Sequence, residues 1–274
     1  MKSDNLFDVS GKVAVITGGS GILCGELAKA LALRGAKVGI LGRTPEKIND
    51  MVAQIQATGG EALSLVADVL DQSELELARQ KVMDTWGRID ILINGAGGNM
   101  PGATVMPNQN FFEDLNFEQY KRVSALNHDG TVLPTLIFGK IMAQQKQGSI
   151  INISSMAAQQ AVTRVVGYST AKAAIDSFTR WLAVETAIKF GEGIRVNAIA
   201  PGFFVTEQNR ALLTTPDGGY TTRGETVIRK TPMARFGEPE ELIGTCIWLC
   251  SDASRFVTGT IIPVDGGFSA WSGV

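Results

Sequence analysis

Along the chain, short apolar runs alternate with longer stretches whose apolar residues recur at helical spacing. The runs KVAVIT (12–17), AKVGIL (36–41), ALSLVADV (62–69), RIDILIN (88–94), GSIINIS (148–154), GIRVNAIA (193–200) and GTIIPVD (259–265) predict seven strands. Between them, Leu23, Leu27, Ala30 and Leu31 repeat on one helical face, and Pro45 suits the first turn of a helix over 45–58. Gln72–Trp86, Phe117–Gln145 and Tyr168–Phe190 carry longer helical patterns, and a last helix opens at Pro239 and Glu240 and runs to about Cys250. Strands that are apolar throughout are covered on both faces, and strand–helix alternation makes their sheet parallel. The pattern predicts one α/β domain over 1–274, doubly wound, with a seven-stranded parallel sheet and helices on both faces. Two segments break the rhythm. Residues 99–116 are polar, with Pro and Asn, and residues 203–236 hold short helical pieces around a turn at Pro216–Gly219. Long loops of this kind carry function more often than structure.

Composition narrows the chemistry. With 25 Lys and Arg against 27 Asp and Glu, the chain has no basic excess to neutralise phosphates, so nucleic acid is not an expected partner. No apolar run approaches the roughly 18 residues of a membrane span, and MKSDNLFDVSGK lacks the apolar core of a secretory signal. The expectation is a cytoplasmic protein without a membrane partner. Three cysteines are too few for a disulfide framework, and Cys246 and Cys250, four apart in an apolar helical stretch, are expected as buried thiols. The single histidine, His128, rules out a multi-His metal site, and it lies far from any G-x-S-x-G elbow, which the chain lacks. No metal is expected, and most serine hydrolase chemistry drops out.

The 31 glycines include a cluster with a purpose. Gly18, Gly19, Ser20 and Gly21 follow the first strand and lead, at Ile22, into a helix. Glycines there let backbone amides approach a pyrophosphate at a helix N-terminus, where the dipole favours anions, as in Rossmann-type domains. NAD sites usually place an acid at the end of the second strand, and NADP sites an arginine nearby. Here that strand ends Leu41-Gly42-Arg43, with no acid and with Arg43 available to a 2′-phosphate, so NADP is favoured over NAD. Asp68, before Val69 at the third strand end, is placed to bond the adenine amine or to cap a helix.

Tyr168 and Lys172 stand at i and i+4 of a helix. A phenol near pKa 10 needs a shift of about three units to work at neutral pH, and one positive charge about 4 Å away supplies a stabilisation of that size. Lys172 is the expected source. Upstream, the strand end at INISSM delivers Ser155, 13 residues before Tyr168, whose hydroxyl can donate to a substrate carbonyl while Tyr168 protonates the forming alkoxide. Ser154 is expected to support the strand. Polar residues that suit a sugar acid gather at Asn99, Arg164, Glu207, Gln208, Asn209 and Arg210. Arg164 is the first candidate for a substrate carboxylate and Arg210 the second, each with a plain surface role as the alternative. Phe203 and Phe204 suit either pocket or core.

From Lys12 to Val264-Asp265-Gly266-Gly267, these motifs in this order resemble the short-chain dehydrogenase/reductase family. The Gly-rich loop, Asn94-Gly95-Ala96-Gly97, Asn127, Ser155, the Tyr168/Lys172 pair and Pro201-Gly202 through Thr206 match the family's motifs. The resemblance implies that Asn127 holds a water linking Lys172 to solvent, and that Lys172 also binds the nicotinamide ribose. It implies that Thr206 bonds the nicotinamide carboxamide, and that Asn94, Ala96 and Gly97 support the sheet and the cofactor ribose. One departure stands out: Ile22 and Cys24 occupy positions where the family has glycine, while glycines stand at 21 and 25, so a remodelled phosphate turn is expected. Within the family, INGAGGN (93–99), NISSM (152–156), APGFFVTEQNRALL (200–213), RFGEPEEL (235–242) and PVDGGFSAWSGV (263–274) are similar to the subgroup that interconverts D-mannonate and D-fructuronate. Members of that subgroup often carry an acid at the second strand end and use NAD, from which Gly42 departs. A gluconate 5-dehydrogenase, another polyol or keto-acid reductase, and a dinucleotide-sensing module without turnover are the alternatives. The resemblance further implies a homotetramer that pairs the long helices and the last strand; FSAWSGV, apolar at the end of the chain, is expected to pack against a neighbouring subunit, with docking on its own domain as the alternative.

Overall fold

The computed structural model describes residues 5–207 and 209–272. Seven strands form one parallel sheet: β1 (Val13–Thr17), β2 (Lys37–Gly42), β3 (Glu61–Val66), β4 (Ile91–Asn94), β5 (Gly148–Ile153), β6 (Ile194–Pro201) and β7 (Ile261–Val264). The helices are α1 (Ile22–Leu33), α2 (Pro45–Ala57), α3 (Gln72–Trp86), α4 (Phe111–Asp114), α5 (Phe117–Gln145), α6 (Val166–Phe190), α7 (Arg210–Leu213), α8 (Thr222–Lys230) and α9 (Ile243–Cys250). The expected architecture is present, with strands somewhat shorter than the apolar runs. The run 62–69 leaves the sheet after Val66, and the run 88–94 begins with an ion pair rather than a strand. Arg88 clasps the Asp90 carboxylate at 2.7–3.1 Å, and the same carboxylate accepts the Val13 N–H at 2.9 Å. The Pro239 helix opens as a 3₁₀ turn before α9.

The strand order is β3-β2-β1-β4-β5-β6-β7. Strand order reverses between β1 and β4, and in such sheets ligands bind outside the carboxyl ends of the strands at that point. Alternate residues of β1 face opposite layers. Ala14 and Ile16 pack with α1, α2 and α9, while Val13 and Val15 pack on the side of α3, α5 and α6. Phe138 of α5 is fully buried in the second layer. Cys246 and Cys250 are buried and unbridged in α9, as expected. A small satellite core of Leu213, Val227 and Phe236 holds the 203–236 segment together.

Polar groups fasten the sheet where it meets the site. The Asn94 amide donates to Thr135 Oγ1 at 2.8 Å and to Asn152 Oδ1 at 2.9 Å, and the Asn152 amide donates to Thr179 Oγ1 at 2.9 Å. This buried chain ties β4 and β5 to α5 and α6. Thr17, at the end of β1, accepts the N–H groups of Gly95 at 3.0 Å and Ala96 at 3.1 Å. One hydroxyl thereby fixes the exit of β4 against the glycine loop. Replacing Thr17 with Val leaves two amides without an acceptor and destabilises the chain by about 2–4 kcal/mol, whereas Thr17→Ser stays close to the parent. Urea unfolding of the two variants checks this; equal stability would show that the hydroxyl does not hold the loop.

Candidate active site

The candidate reacting groups come from the end of β5 and from α6. Ser155 caps the 3₁₀ turn that follows β5, its hydroxyl accepting the Ala157 N–H at 3.1 Å. Lys172 is buried, and its ammonium donates to the Ile153 carbonyl at 2.7 Å, at the last residue of β5. One helical turn away, the Tyr168 ring lies over that ammonium, with its centroid 5.5 Å from Lys172 Nζ. Burial pulls the Lys172 ammonium from its usual 10.5 down to about 8, against the opposing pull of Cys24 and Asp176. Burial pushes the Tyr168 phenol up, and its hydrogen bond with Ser155 opposes the rise only in part. In the chain by itself desolvation outweighs the Ser155 hydrogen bond, and the Lys172 ammonium expected to draw the phenol towards neutrality is directed to a backbone carbonyl. Ser154 supports the strand as expected, but through a partner the sequence reading missed: its hydroxyl donates a short hydrogen bond to the buried Asp176, one turn beyond Lys172 on α6.

The dinucleotide side fits its expected ligand. Gly18 takes φ +65°, a left-handed conformation that L side chains rarely adopt, and a Cβ there would come within 3.0 Å of the Gly95 and Ala96 backbone. A Cβ on Gly19 would meet the Ile16 carbonyl at 2.8 Å. The backbone of Gly18–Gly21 is thus drawn tight to the strand ends. α1 begins at Ile22 behind the extended Gly21, without a side-chain cap and without an acid in its first turn. Its leading amides and dipole form an anion site. The departure from the family loop has a packing explanation. Cys24 Sγ fills the space a Cβ on Gly95 would take, and Gly25 admits the Met51 side chain, whose Cε would lie 2.6 Å from a Cβ there. Burial raises the Cys24 thiol to about 12, so it is a packed thiol and not a nucleophile.

Other predicted cofactor residues divide. Arg43 is exposed beyond β2, with Nη1 3.6 Å from Asp68 Oδ2, so the two candidates stand together. The other Asp68 oxygen accepts the Leu70 N–H at 2.9 Å in the turn before α3, whose cap is Asp71 rather than Asp68. A Cβ on Gly42 would make only ordinary contacts, the nearest being Ile48 at 3.6 Å and Ser20 Oγ at 3.7 Å. The Val69 side chain is buried against Gly130, and the Asn94 side chain is spent on the sheet braces, so neither side chain faces the cleft. Asn127 is fully buried. Its amide donates to the Gly98 and Val123 carbonyls at 2.7 and 2.8 Å, and its oxygen accepts the Gly98 N–H at 3.0 Å. It braces the loop after β4 beside Lys172: a Cβ on Gly97 would lie 2.5 Å from Asn127 Oδ1 and 3.5 Å from Lys172 Nζ.

A cavity of about 660 Å³ opens over these groups. Gly97, Pro201, Gly202 and Thr206 line it, as do Ser155, Tyr168 and Lys172. Much of its remaining wall is apolar, including Met100, Met106, Met156, Val162, Val165 and Phe203, so the cleft is less polar than the sequence suggests. The polar gathering expected there is only partly brought together. Asn99 lines the cavity, with its amide on Thr104 Oγ1 at 2.7 Å and its buried Oδ1 without a partner. Asn209 also lines it but braces its own loop through Phe204 O and Thr206 N. Glu207 points towards Lys47 at 3.6 Å, and Gln208 lies outside the described residues. Arg210 is exposed and away from the cavity wall, which corrects its assignment as a substrate ligand; α7 turns it outward while Leu213 is buried. Arg164 is half-buried beside the cavity but not in its wall, in a left-handed conformation at φ +80°, which costs about 1–3 kcal/mol for a non-glycine residue. The arginine that does line the cavity is Arg223 on α8, which the sequence reading passed over because nothing near it matches a motif. Phe203 and Phe204 both line the cavity, and Phe203 stacks edge-to-face on Phe268 at 5.2 Å. The described part of the C-terminal segment thus touches its own domain at Phe268, and nothing in a single chain bears on packing against a neighbour; residues 273 and 274 lie outside the described residues.

A tight glycine turn at the N-terminus of α1, and a serine–tyrosine–lysine group in a cavity that reaches Leu23 of that helix, at the switch point of a parallel sheet, are the features of a dinucleotide-dependent oxidoreductase. Comparison with known proteins agrees. A family model described as enoyl-(acyl carrier protein) reductase matches residues 20–269. The uncharacterized oxidoreductase UxuB of Bacillus subtilis is 48% identical over 276 residues, covering 97% of this chain and 98% of that protein. The crystal structure of a Haemophilus influenzae protein provisionally called a D-mannonate oxidoreductase, with bound NAD, superposes with a TM-score of 0.91 at 42% identity, covering 97% and 98% of the two chains. A gluconate 5-dehydrogenase from Burkholderia cenocepacia in complex with NADP and tartrate gives a TM-score of 0.87 at 29% identity, covering 97% and 98%. The chain belongs to the short-chain dehydrogenase/reductase family and is an oxidoreductase acting on CH–OH groups. Among the described residues, no helix is long and apolar enough to cross a membrane.

The buried ammonium has a measurable consequence. A lysine whose value falls on folding binds fewer protons in the folded chain than in the unfolded one between about 8 and 10.5, so its contribution to stability rises with pH across that window. Unfolding free energies measured from pH 7 to 10.5 for the parent and Lys172→Met should therefore converge on the parent's side as pH rises, by about 3 kcal/mol. A difference that is flat in pH would show that Lys172 is not desolvated.

Proposed function

We propose that this enzyme interconverts a sugar acid and its keto form, with D-mannonate and D-fructuronate as the substrate pair. The observation that carries the reading is the cavity that joins Ser155, Tyr168 and Lys172 to the unpartnered Asn99 oxygen and to Arg223. A buried amide oxygen without a partner suits a sugar hydroxyl, and the similarity to the Haemophilus protein supports the particular pair. The similarity to a gluconate 5-dehydrogenase favours a second reading, a 5-keto-gluconate substrate, which also carries a carboxylate.

When bound, the reduced nicotinamide cofactor supplies the hydride. Ser155 donates its hydroxyl hydrogen to the substrate carbonyl oxygen and polarises it. The Tyr168 phenol gives its proton to the same oxygen as negative charge develops there. A phenol held protonated by burial suits this donation. Lys172, fixed by the Ile153 carbonyl, lowers the energy of the phenolate that remains and binds the cofactor ribose. Asn127 keeps the loop at 97–98 in place beside it. Tyr168→Phe removes the proton donor, so turnover falls by at least about 100-fold while the dissociation constant for cofactor, read by fluorescence, stays within twofold. Undiminished turnover would remove Tyr168 from the mechanism.

We infer further that NADP is used in preference to NAD. Gly42 presents no carboxylate to the adenosine ribose, and Arg43, held only loosely by Asp68, is free to turn to a 2′-phosphate. The support for NAD is the relative crystallised with it. Initial rates of D-fructuronate reduction with NADPH and with NADH test both statements. NADPH should be favoured by at least about tenfold, and Arg43→Ala should erase the preference. Equal rates would assign Arg43 to adenine stacking, and no turnover with either cofactor would reject the mannonate pair.

The partners proposed are this small-molecule substrate and further copies of the chain. Leu136 on α5 and Trp181, Val184 and Ile188 on α6 are more than half exposed, an apolar face on the two long helices that suits a homotetramer. Sedimentation velocity of the parent and of Trp181→Glu should show a tetramer and a smaller species.

A further inference from the structure

Arg223 occupies a place that the stability of its own helix does not explain. It is the second residue of α8, in the first turn, where the helix dipole disfavours a cation. Gly224 lets that turn press on α7, since a Cβ there would fall 2.1 Å from the Leu213 carbonyl, so the position of the turn is fixed by packing. The guanidinium is half-buried in the cavity wall that also holds Ser155 and Tyr168. Among the described residues its hydrogen bonds are two long ones, 3.4 Å from Nη1 to Thr163 Oγ1 and 3.4 Å from Nη2 to the Thr163 carbonyl. Among the described residues, no carboxylate stands within 4.0 Å of it. The residue after Thr163 is Arg164, in its strained left-handed conformation and also without a carboxylate partner among the described residues. Burial and the neighbouring Arg164 charge both hold the Arg223 guanidinium below its ordinary value. A guanidinium half-buried in the wall, with a like charge acting on it from the segment behind and its planar fork unsatisfied, lacks one thing that an anion supplies.

We propose that Arg223, with Arg164 beside it, receives the carboxylate of the substrate and selects carboxylate-bearing sugars over neutral ones. This rests on the reading of the site as one that reduces a sugar acid, and it replaces Arg210 in that role. The fork of Arg223 matches a carboxylate with two parallel N–H donors, and Arg164 adds charge at short range. Met and Val residues elsewhere in the cavity wall make its surroundings less polar, which strengthens such a pair.

The test compares the parent, Arg223→Met, Arg223→Lys and Arg164→Met. Steady-state reduction of D-fructuronate and of its uncharged counterpart D-fructose gives the selectivity of each. Calorimetry with D-gluconate on the proteins loaded with NADPH gives carboxylate binding without turnover, because a reduced cofactor accepts no hydride. Arg223→Met should raise the KM for D-fructuronate by about 10- to 100-fold with a smaller change in kcat, and should collapse the selectivity over D-fructose. Arg223→Lys should recover part of the loss, because the charge remains but the fork does not, and Arg164→Met should show the same direction with a smaller effect. Cofactor binding within twofold of the parent shows that each variant is folded; if Arg223→Met does not fold, the Lys and Arg164 variants decide. A KM and a D-gluconate affinity unchanged within about threefold in all variants, with the parent active on D-fructuronate, would overturn the assignment and leave the sugar-acid reading standing. Arg223-dependent D-gluconate binding by a parent inactive on D-fructuronate would uphold the assignment and reject the D-mannonate pair. A parent that binds neither compound would overturn both.

Discussion

The desolvated ammonium of Lys172 is the constraint around which the rest of the structure is arranged. A charge buried in apolar surroundings needs a compensating partner, and it finds one in the Ile153 carbonyl at the end of β5. That single contact sets the distance between the sheet and α6. It places Tyr168 one turn away with its ring over the ammonium, and it leaves Ser155 two residues beyond the carbonyl in the same cleft. Asp176 sits one turn further along α6 and is held in turn by Ser154. Strand end, helix face and loop are therefore locked to one another by polar contacts in a region where apolar packing alone would tolerate sliding.

The balance at Tyr168 follows from the same burial. Two opposing effects act on the phenol, desolvation upward and the Ser155 hydrogen bond downward, and desolvation is the larger. The chain's own residues thus keep the phenol protonated, which is the state a proton donor needs in the reducing direction. The opposite direction would require a phenolate, which the nearby Lys172 ammonium would favour and to which the positive charge of an oxidised nicotinamide would add when bound. The site is in this sense asymmetric before any ligand arrives.

The substrate side is built on a different principle. The 203–236 segment does not belong to the main core. Its stability comes from the satellite cluster of Leu213, Val227 and Phe236 and from the close approach of α7 to α8 at Gly224. A lobe of this kind can vary without disturbing the sheet, and its side chains decide what enters the cavity. The cleft's mixture of apolar wall and a few convergent polar groups is the usual composition of a small-molecule site.

Much of this was legible in the sequence because it depends on local period and spacing. Continuous apolar runs identify buried parallel strands, and the interval of four between Tyr168 and Lys172 places them on one helix face whatever surrounds them. Gln72–Trp86 and Phe117–Gln145 have the boundaries their patterns predict, since Asp71 and Asn116 cap them. Other features depend on which distant residues meet. Whether Lys172 lowers the phenol or is itself held by a carbonyl is decided by the approach of β5 to α6. The motif holding Asn94 implies both sheet support and a cofactor contact, and only its neighbours Thr135 and Asn152 commit the side chain to the sheet. Arg164, Arg210 and Arg223 are indistinguishable as residues in loops and short helices. The sequence by itself determined the sheet, the glycine cradle and the reacting trio, because each is written in short-range spacing. The tertiary structure alone decided which arginine faces the cavity, because that depends on how α7 and α8 pack across more than fifty residues of intervening chain from Thr163.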